Sequence, residues 1–503
     1  MKVFIYPILL SFFCLSPAIS AADGLLTSSD LPIVVIDTNG QTISDEPKIE
    51  AQMGIIDNGQ GIRNYLTDPF NGYNGKIGIE VRGGSSQNFP KKQYAVETRD
   101  DAGNDVDVSL LDMPAESDWI LSAPYTDKTL IRNMLVYKLS NDMGHYASRT
   151  RFCEVVINGD YQGVYVLMEK IKRGKNRVNI SSLKSDAISG DNLSGGYIIK
   201  IDKLKGQDTL GWYSAYSNFG REIYYQYHYP KQEDIVSEQK DYIQDYIERF
   251  EMLMAGDTYK DGYPAIINTG SFADFLILNE LSRNVDGYRL STFMFKDKDS
   301  KGGKLTMGPV WDFDLGFGNA DYYDGYLTSG WQADFSYSDD NQIPFWWKRL
   351  RDDPAFQNIV RARWQALRED ILKSDRINSL IDEMSGITVE SRVRNFTRWP
   401  ILGKYVWPNK FIGKTYADEI SYLKTWIAQR FLWLDSQWIS CAAGDINGDS
   451  RTDLSDAISA LRICIGADVA SPTFICKKAS VSADGKIGIA DVIYILQKVS
   501  GLR

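Results

Sequence analysis

Hydrophobic periodicity changes several times along the chain. From Leu31 to Met168 the apolar positions come in short runs or at every second residue: Leu31 to Ile36, closed by the turn residues Asp37-Thr-Asn-Gly40, then Lys76 to Arg82, Gln93 to Thr98, and the pair Glu154 to Asn158 and Gly163 to Met168 around Gly159-Asp160. Runs of this length and composition predict strands. One interlude, Leu130 to Met143, carries apolar residues at three- and four-residue steps and predicts a helix. Helical spacing takes over from Ile243 to Met254 and from Ser271 to Arg283. It is broken by a hairpin pattern, Ser291 to Lys296 and Lys304 to Met307 around Lys-Gly-Gly-Lys, and resumes from Pro344 to Gln437 with Trp346, Trp347, Trp364, Trp426 and Trp433 as core candidates. A β-rich portion feeding a helical portion predicts a two-lobed α+β fold with the substrate in the cleft between the lobes.

The hairpin leads into Gly308-Pro-Val-Trp-Asp312-Phe-Asp314-Leu-Gly316-Phe-Gly-Asn319, and Asn284-Val-Asp286-Gly precedes it. Carboxylates set among Trp311, Phe313 and Phe317 are costly to desolvate unless they hold a cation or accept strong hydrogen bonds. Asp286 and Asp312 at one end of a hairpin suit magnesium and phosphate chemistry. Asp312 is the expected magnesium ligand, with Asp314 a second. Asp286 is expected to orient or deprotonate an acceptor hydroxyl. Between two upstream strands, the turn of Gly83, Gly84 and Ser85 would cover phosphates, and Lys91 or Lys92 would reach them; strand alternation lets only one of the two lysines face the cleft. Glu169 ends a strand where the lobes join and is expected to contact the nucleotide. Singly, the glycine turn reads as well as a hairpin connection, the lysines and Glu169 as solvated surface groups, and Asp286-Gly as a type I′ turn. The aspartates flanked by aromatic rings are harder to explain that way.

Composition narrows the class. A chain of 503 residues exceeds one small core and implies two or three domains. A net charge of −10 argues against a nucleic-acid partner, because phosphate neutralisation needs a basic surface. Two histidines, His145 and His228, are too few for a histidine-rich metal cluster. Met1-Lys2, the apolar run Val3 to Leu15 and the small residues up to Ala22 predict a secretory signal over residues 1–22, hence a secreted, periplasmic or cell-surface protein. No later apolar run approaches the roughly 20 residues that cross a bilayer. In an oxidising compartment Cys464 and Cys476, close together near the C-terminus, are expected to pair, and Cys153 to be a buried strand thiol.

From about Ala443 the pattern differs in kind. Asp445, Asn447, Asp449, Asp453 and Asp456 occupy positions 1, 3, 5, 9 and 12 of a calcium loop, the Arg451 carbonyl supplies position 7, and an amphipathic helix follows from Ala457 to Ile465. Ser450 stands where the turn glycine usually lies. A second loop, Ser480 to Asp491, repeats the pattern with hydroxyls at Ser480 and Ser482 in place of carboxylates, so it is expected to keep the shape and bind calcium poorly.

Several of these segments together resemble the spore-coat-protein CotH kinase family, distant relatives of protein kinases. The points of contact are Arg82-Gly-Gly-Ser-Ser with Pro90-Lys-Lys, Tyr125 to Asn133, Asn158-Gly-Asp-Tyr-Gln-Gly-Val-Tyr, Glu169, Gly195-Gly-Tyr, Asn284-Val-Asp-Gly and Trp311-Asp-Phe-Asp-Leu-Gly-Phe-Gly. The resemblance implies a kinase-like domain over residues 76–440, preceded by a β extension at 23–75, that phosphorylates protein hydroxyls with ATP and magnesium or manganese. In one respect the chain departs from protein kinases: the Asn that follows the catalytic Asp by five residues is here Ser291, so a second metal needs another oxygen. The segment 443–503 resembles a type I dockerin, which implies a cohesin-like partner. An alternative is a catalytically inactive structural or adhesive surface protein on a kinase-like scaffold. A carbohydrate-active enzyme fits poorly, because Asp312 and Asp314 would share one face of a strand and not flank a sugar.

Overall fold

The computed structural model describes residues 25–204, 210–217, 222–337, 341–467, 474–482 and 484–502; the expected secretory signal lies outside them. The first half is a closed barrel of seven strands, in the order Ile33–Asp37, Ile49–Ile56, Tyr73–Arg82, Gln93–Arg99, Asp118–Ser122, Asp160–Glu169 and Thr150–Ile157. Closure comes from the one parallel pairing, Ile33–Asp37 beside Thr150–Ile157, with Val34 opposite Val155. Residues 33–56, expected as an extension, are therefore two staves of the barrel itself. The β-branched and alternating runs supply the inward face: Val34, Ile36, Ile55, Ile77, Val96, Leu121, Cys153 and Val155 pack together with almost no exposed surface.

The helix Arg132–Asp142 leaves the barrel after Asp127, whose carboxylate accepts the amides of Thr129 and Arg132 and pairs with the Arg132 guanidinium at 2.5 Å. Such an ion pair is fully desolvated, and its four hydrogen bonds are what make it tolerable. Beyond the barrel, Tyr197–Ile201, Gly211–Tyr213, Tyr224–Tyr229, Thr292–Lys296 and Thr306–Met307 form a five-stranded antiparallel sheet. The hairpin read from the sequence is its edge, with Met294 opposite Met307.

Helices Ser237–Ala255, Thr269–Ser282, Pro354–Glu369 and Tyr416–Trp438 pack behind that sheet around Trp346, Trp347 and Trp364, all fully buried. Arg430 and Glu280 make a fully buried ion pair at 3.0 Å that joins the last of these helices to Thr269–Ser282. Glu280 also accepts the amides of Gln332 and Ala333 and the Tyr288 hydroxyl, so the carboxylate is saturated. The result is a mixed α+β architecture with the barrel and the helical portion facing one cleft.

After Trp438 come two loop–helix units, the helices being Leu454–Cys464 and Ile489–Val499. The expected Cys464–Cys476 bridge is not formed. Cys476 is instead bonded to Cys441, with Cα atoms 6.5 Å apart, and Cys464 is exposed and free. The reason is geometric: Cys464 ends its helix on the solvent side, whereas Cys476 is buried against the chain that leaves Trp438. Arg361, on Pro354–Glu369, donates to the carbonyls of Trp438 and Gly448 and stacks over Phe474, and Lys477 pairs with Glu369 at 2.7 Å. The loop–helix pair thus rests on the helical portion.

Candidate functional site

A cleft of about 760 Å³ lies between barrel and helical portion, and Arg82, Gly83, Gly84, Ser85, Asp286, Asp312 and Asp314 all line it. The acidic segment owes its position to the helix Arg132–Asp142. Asn133 Oδ1 accepts the Phe313 amide at 2.6 Å, Tyr137 Oη accepts the Asp312 amide at 3.3 Å, and the Tyr137 ring stacks on Trp311. With Phe313 and Phe317 packed into the core, their neighbours Asp312 and Asp314 are turned to the cleft. Asp312 takes a left-handed backbone, φ 65°, which Asp tolerates better than most residues.

Asp286 arrives from the other direction. The helix Thr269–Ser282 ends at Arg283 in the left-handed conformation, φ 47°, and the chain turns through Asn284 to Tyr288. Asn284 fixes the two segments against each other: its Oδ1 accepts the Asp286 amide at 3.2 Å while its Nδ2 donates to the Asp312 carbonyl at 3.3 Å. Gly287 is required here, since a Cβ would lie 2.4 Å from Asn279 Oδ1.

The electrostatics follow from this crowding. Desolvation in the cleft pushes Asp286 up to about 6, with Arg289, 3.2 Å away, pulling it down and Asp312 pushing it further up. Asp312 is raised by desolvation and lowered by Arg82; Asp314 is held well above the carboxylate range by desolvation and then by Asp312 and Asp127. Asp312 has an open surface, yet that surface faces the enclosed cleft, so its field is only partly screened. Thr126 donates to Asp314 at 3.3 Å. No group of three or more His, Cys, Asp or Glu side chains among the described residues is arranged to hold a metal ion. Magnesium in phosphate sites commonly uses one or two carboxylates and completes its shell with phosphate and water.

The glycine turn covers the same cleft. Gly83 takes φ 117°, a backbone conformation that residues with a side chain rarely adopt. The amides of Gly84, Ser85 and Ser86 make no hydrogen bond among the described residues, and so stay available. Lys91 lines the cleft and Lys92 does not, and the ammonium groups of both are engaged by protein groups. Lys91 is buried, with Nζ 2.5 Å from the Val164 carbonyl and 2.8 Å from Asn395 Oδ1, and burial draws it down to about 7. Lys92 donates to the Gln87 carbonyl at 2.6 Å. Glu169 does not line the cleft; it accepts from Arg149 and Tyr146 behind it. Further residues line the cleft that the sequence patterns did not single out as site residues, among them Lys200, Asp202, Lys203 and Arg289; Arg82 also lines it, and its signal is that it opens the glycine turn.

In the C-terminal loops, Asp456 accepts the amides of Asn447 and Asp453, and Asp491 accepts those of Val481 and Gly488 in the same pattern. Ser450 takes φ 71° and Gly485 φ 70° at matching positions. Asp445 Oδ1 is buried and has no hydrogen-bond partner among the described residues, and desolvation, with Asp456 and Asp449 nearby, raises its carboxyl. An orphaned carboxylate oxygen at the first position of such a loop fits a bound cation.

No curated protein matches the chain. Residues 79–434, from within the strand that carries Arg82 through the acidic segment to the last long helix, match the family described as CotH kinase protein, and the chain therefore belongs to the CotH kinase family.

Proposed function

We propose that this protein is an exported kinase that transfers the γ-phosphate of ATP to a protein hydroxyl with magnesium or manganese. What carries the reading is the meeting of Asp286, Asp312 and Asp314 beneath a glycine turn with free amides. Like charges in one desolvated cleft repel, and a divalent cation with a polyphosphate turns that repulsion into binding. Asp312 and Asp314 hold the cation, whose chemistry is to neutralise phosphate charge. Gly83, Gly84 and Ser85 cover the phosphate oxygens. Asp286 takes the proton of the acceptor hydroxyl as its oxygen bonds to the γ-phosphorus and ADP leaves. Ser291 would offer a hydroxyl, not an amide oxygen, to a second ion, so a second ion would need an oxygen from another residue such as Asp314.

The C-terminal loop–helix pair is, in this reading, a dockerin-like calcium module, with Asp445, Asn447, Asp449, the Arg451 carbonyl, Asp453 and Asp456 as its ligands and a cohesin-like module as its partner. Leu454, Ile458 and Leu461 on one helix and Ile489, Ile493 and Leu496 at the matching positions of the other are exposed, which supports a docking face. The deciding experiment is transfer of labelled phosphate from ATP to a mixed protein substrate with and without magnesium or manganese. No transfer together with no metal-dependent ATP binding rejects the kinase reading and leaves an inactive surface scaffold.

A further inference from the structure

A triphosphate needs a cation on the protein side as well as a metal. Most basic side chains around this cleft are already engaged. Lys91 and Lys92 hold backbone carbonyls, Lys170 pairs with Asp118 at 3.2 Å, Lys200 with Asp202 at 2.9 Å and Arg289 with Asp286. Lys203 lies exposed at the rim, where water screens it. Arg82 differs from all of these. Its guanidinium lines the cleft half-buried, makes no hydrogen bond or ion pair among the described residues, and sits 5.7 Å over the Trp311 ring in the field of Asp312.

We infer that Arg82 is the cationic residue that binds the nucleotide's phosphates, a place the sequence suggested for Lys91 or Lys92. The assignment rests on the kinase reading. Three features support it. Arg82 is the last residue of the strand Tyr73–Arg82, so its backbone leads directly into the Gly83-Gly84-Ser85 turn. The guanidinium carbon lies 5.7 Å from the centre of the Trp311 ring, and Trp311 adjoins Asp312, so the fork lies close to the proposed metal ligand. A guanidinium also keeps its charge where water is excluded and donates two parallel N–H groups to phosphate, whereas an ammonium is readily neutralised on burial.

The test is a ligand series on the full chain: calorimetric affinities for adenosine, ADP and ATP, each with magnesium, for the unaltered protein, Arg82→Ala, Arg82→Gln and Arg82→Lys. Loss of a charged hydrogen-bonding group predicts a drop in ATP affinity of about 10- to 100-fold in Arg82→Ala and Arg82→Gln. Adenosine affinity should stay within about twofold of the unaltered protein and also reports that each variant is folded. Arg82→Lys, lacking the fork, should recover only part of the loss. ATP affinity unchanged in Arg82→Ala or Arg82→Gln overturns the assignment alone, and equal losses for ATP and adenosine overturn it by showing a structural role. Absence of magnesium-dependent ATP binding in the unaltered chain overturns the kinase reading, and the assignment with it.

Discussion

Lys91 Nζ lies 2.8 Å from Asn395 Oδ1, so the residue that leads the barrel strand after the glycine turn is bonded to a helix 304 residues further along the chain. Asn395 Oδ1 also accepts the Val164 amide, and Lys91 bonds the Val164 carbonyl. The ammonium is a rivet between barrel and helical portion. Lys91→Met should therefore lower stability by about 1–3 kcal/mol, the cost of leaving a buried carbonyl unpaired. Urea unfolding measures this, and ATP affinity should change by less than about twofold. A large selective loss of ATP affinity would show that Lys91 turns into the cleft when nucleotide binds.

Asp286 stands near 6 because desolvation disfavours its charge. A base must be ionised to act, so kcat/KM should fall about tenfold per pH unit below that value and level off above it. An ordinary aspartate would put the limb near 4. Asp286→Asn should abolish the limb and reduce the rate by about 10²–10⁴-fold. A limb that persists in Asp286→Asn assigns the titration to another group.

Asp312→Ala removes a proposed metal ligand while Asp314 remains. With magnesium and ATP at about 100 times Kd, the unaltered protein should gain about 2.7 kcal/mol of stability, and Asp312→Ala should gain almost none at the same concentrations. Differential scanning calorimetry reads both. Equal stabilisation of the two proteins removes Asp312 from the metal site.

The Cys441–Cys476 bridge closes a loop with a sequence separation of 35. Loop-closure entropy for that length corresponds to about 4 kcal/mol. Cys441→Ser should show a loss of that order in the C-terminal transition, and Cys464→Ser should show none. The reverse pattern would restore the pairing first read from the sequence.

Calcium should raise the melting temperature, and Asp445→Ala should lose that response because its buried Oδ1, without a partner among the described residues, is a proposed ligand. Ser480→Ala, in the second loop, should keep it. Arg361 donates to the Gly448 carbonyl inside the first loop, so Arg361→Ala should separate the calcium-sensitive transition from that of the helical portion. A calcium response intact in Asp445→Ala would discard the first loop as its origin.

Local patterning is legible wherever one face of an element is apolar and the next is wet. The strands around Arg82 and Gln93, the hairpin at Thr292–Lys296, and the helices Arg132–Asp142 and Thr269–Ser282 lie where periodicity predicts them. Barrel closure was not legible, because the parallel pairing of Ile33–Asp37 with Thr150–Ile157 joins strands that no turn connects. The disulfide was misread for a similar reason: nearness in sequence favours Cys464, while the direction in which the helix Leu454–Cys464 ends favours Cys441.

Chemistry divides along the same line. The sequence alone set Asp312 and Asp314 on either side of Phe313 in an aromatic segment, where carboxylates are costly to desolvate without a cation or strong hydrogen bonds. It also marked Gly83-Gly84-Ser85 as a turn between two strands, while the positive φ at Gly83 belongs to the folded chain. Which cation serves the cleft was decided by tertiary structure. Lys91, Lys92 and Arg82 are equally basic as letters, and only packing against Val164, Gln87, Asn395 and Trp311 commits two of them to carbonyls and leaves the third free. A hydrogen bond to a distant carbonyl is set by the folded path of the chain, and no local pattern encodes that path.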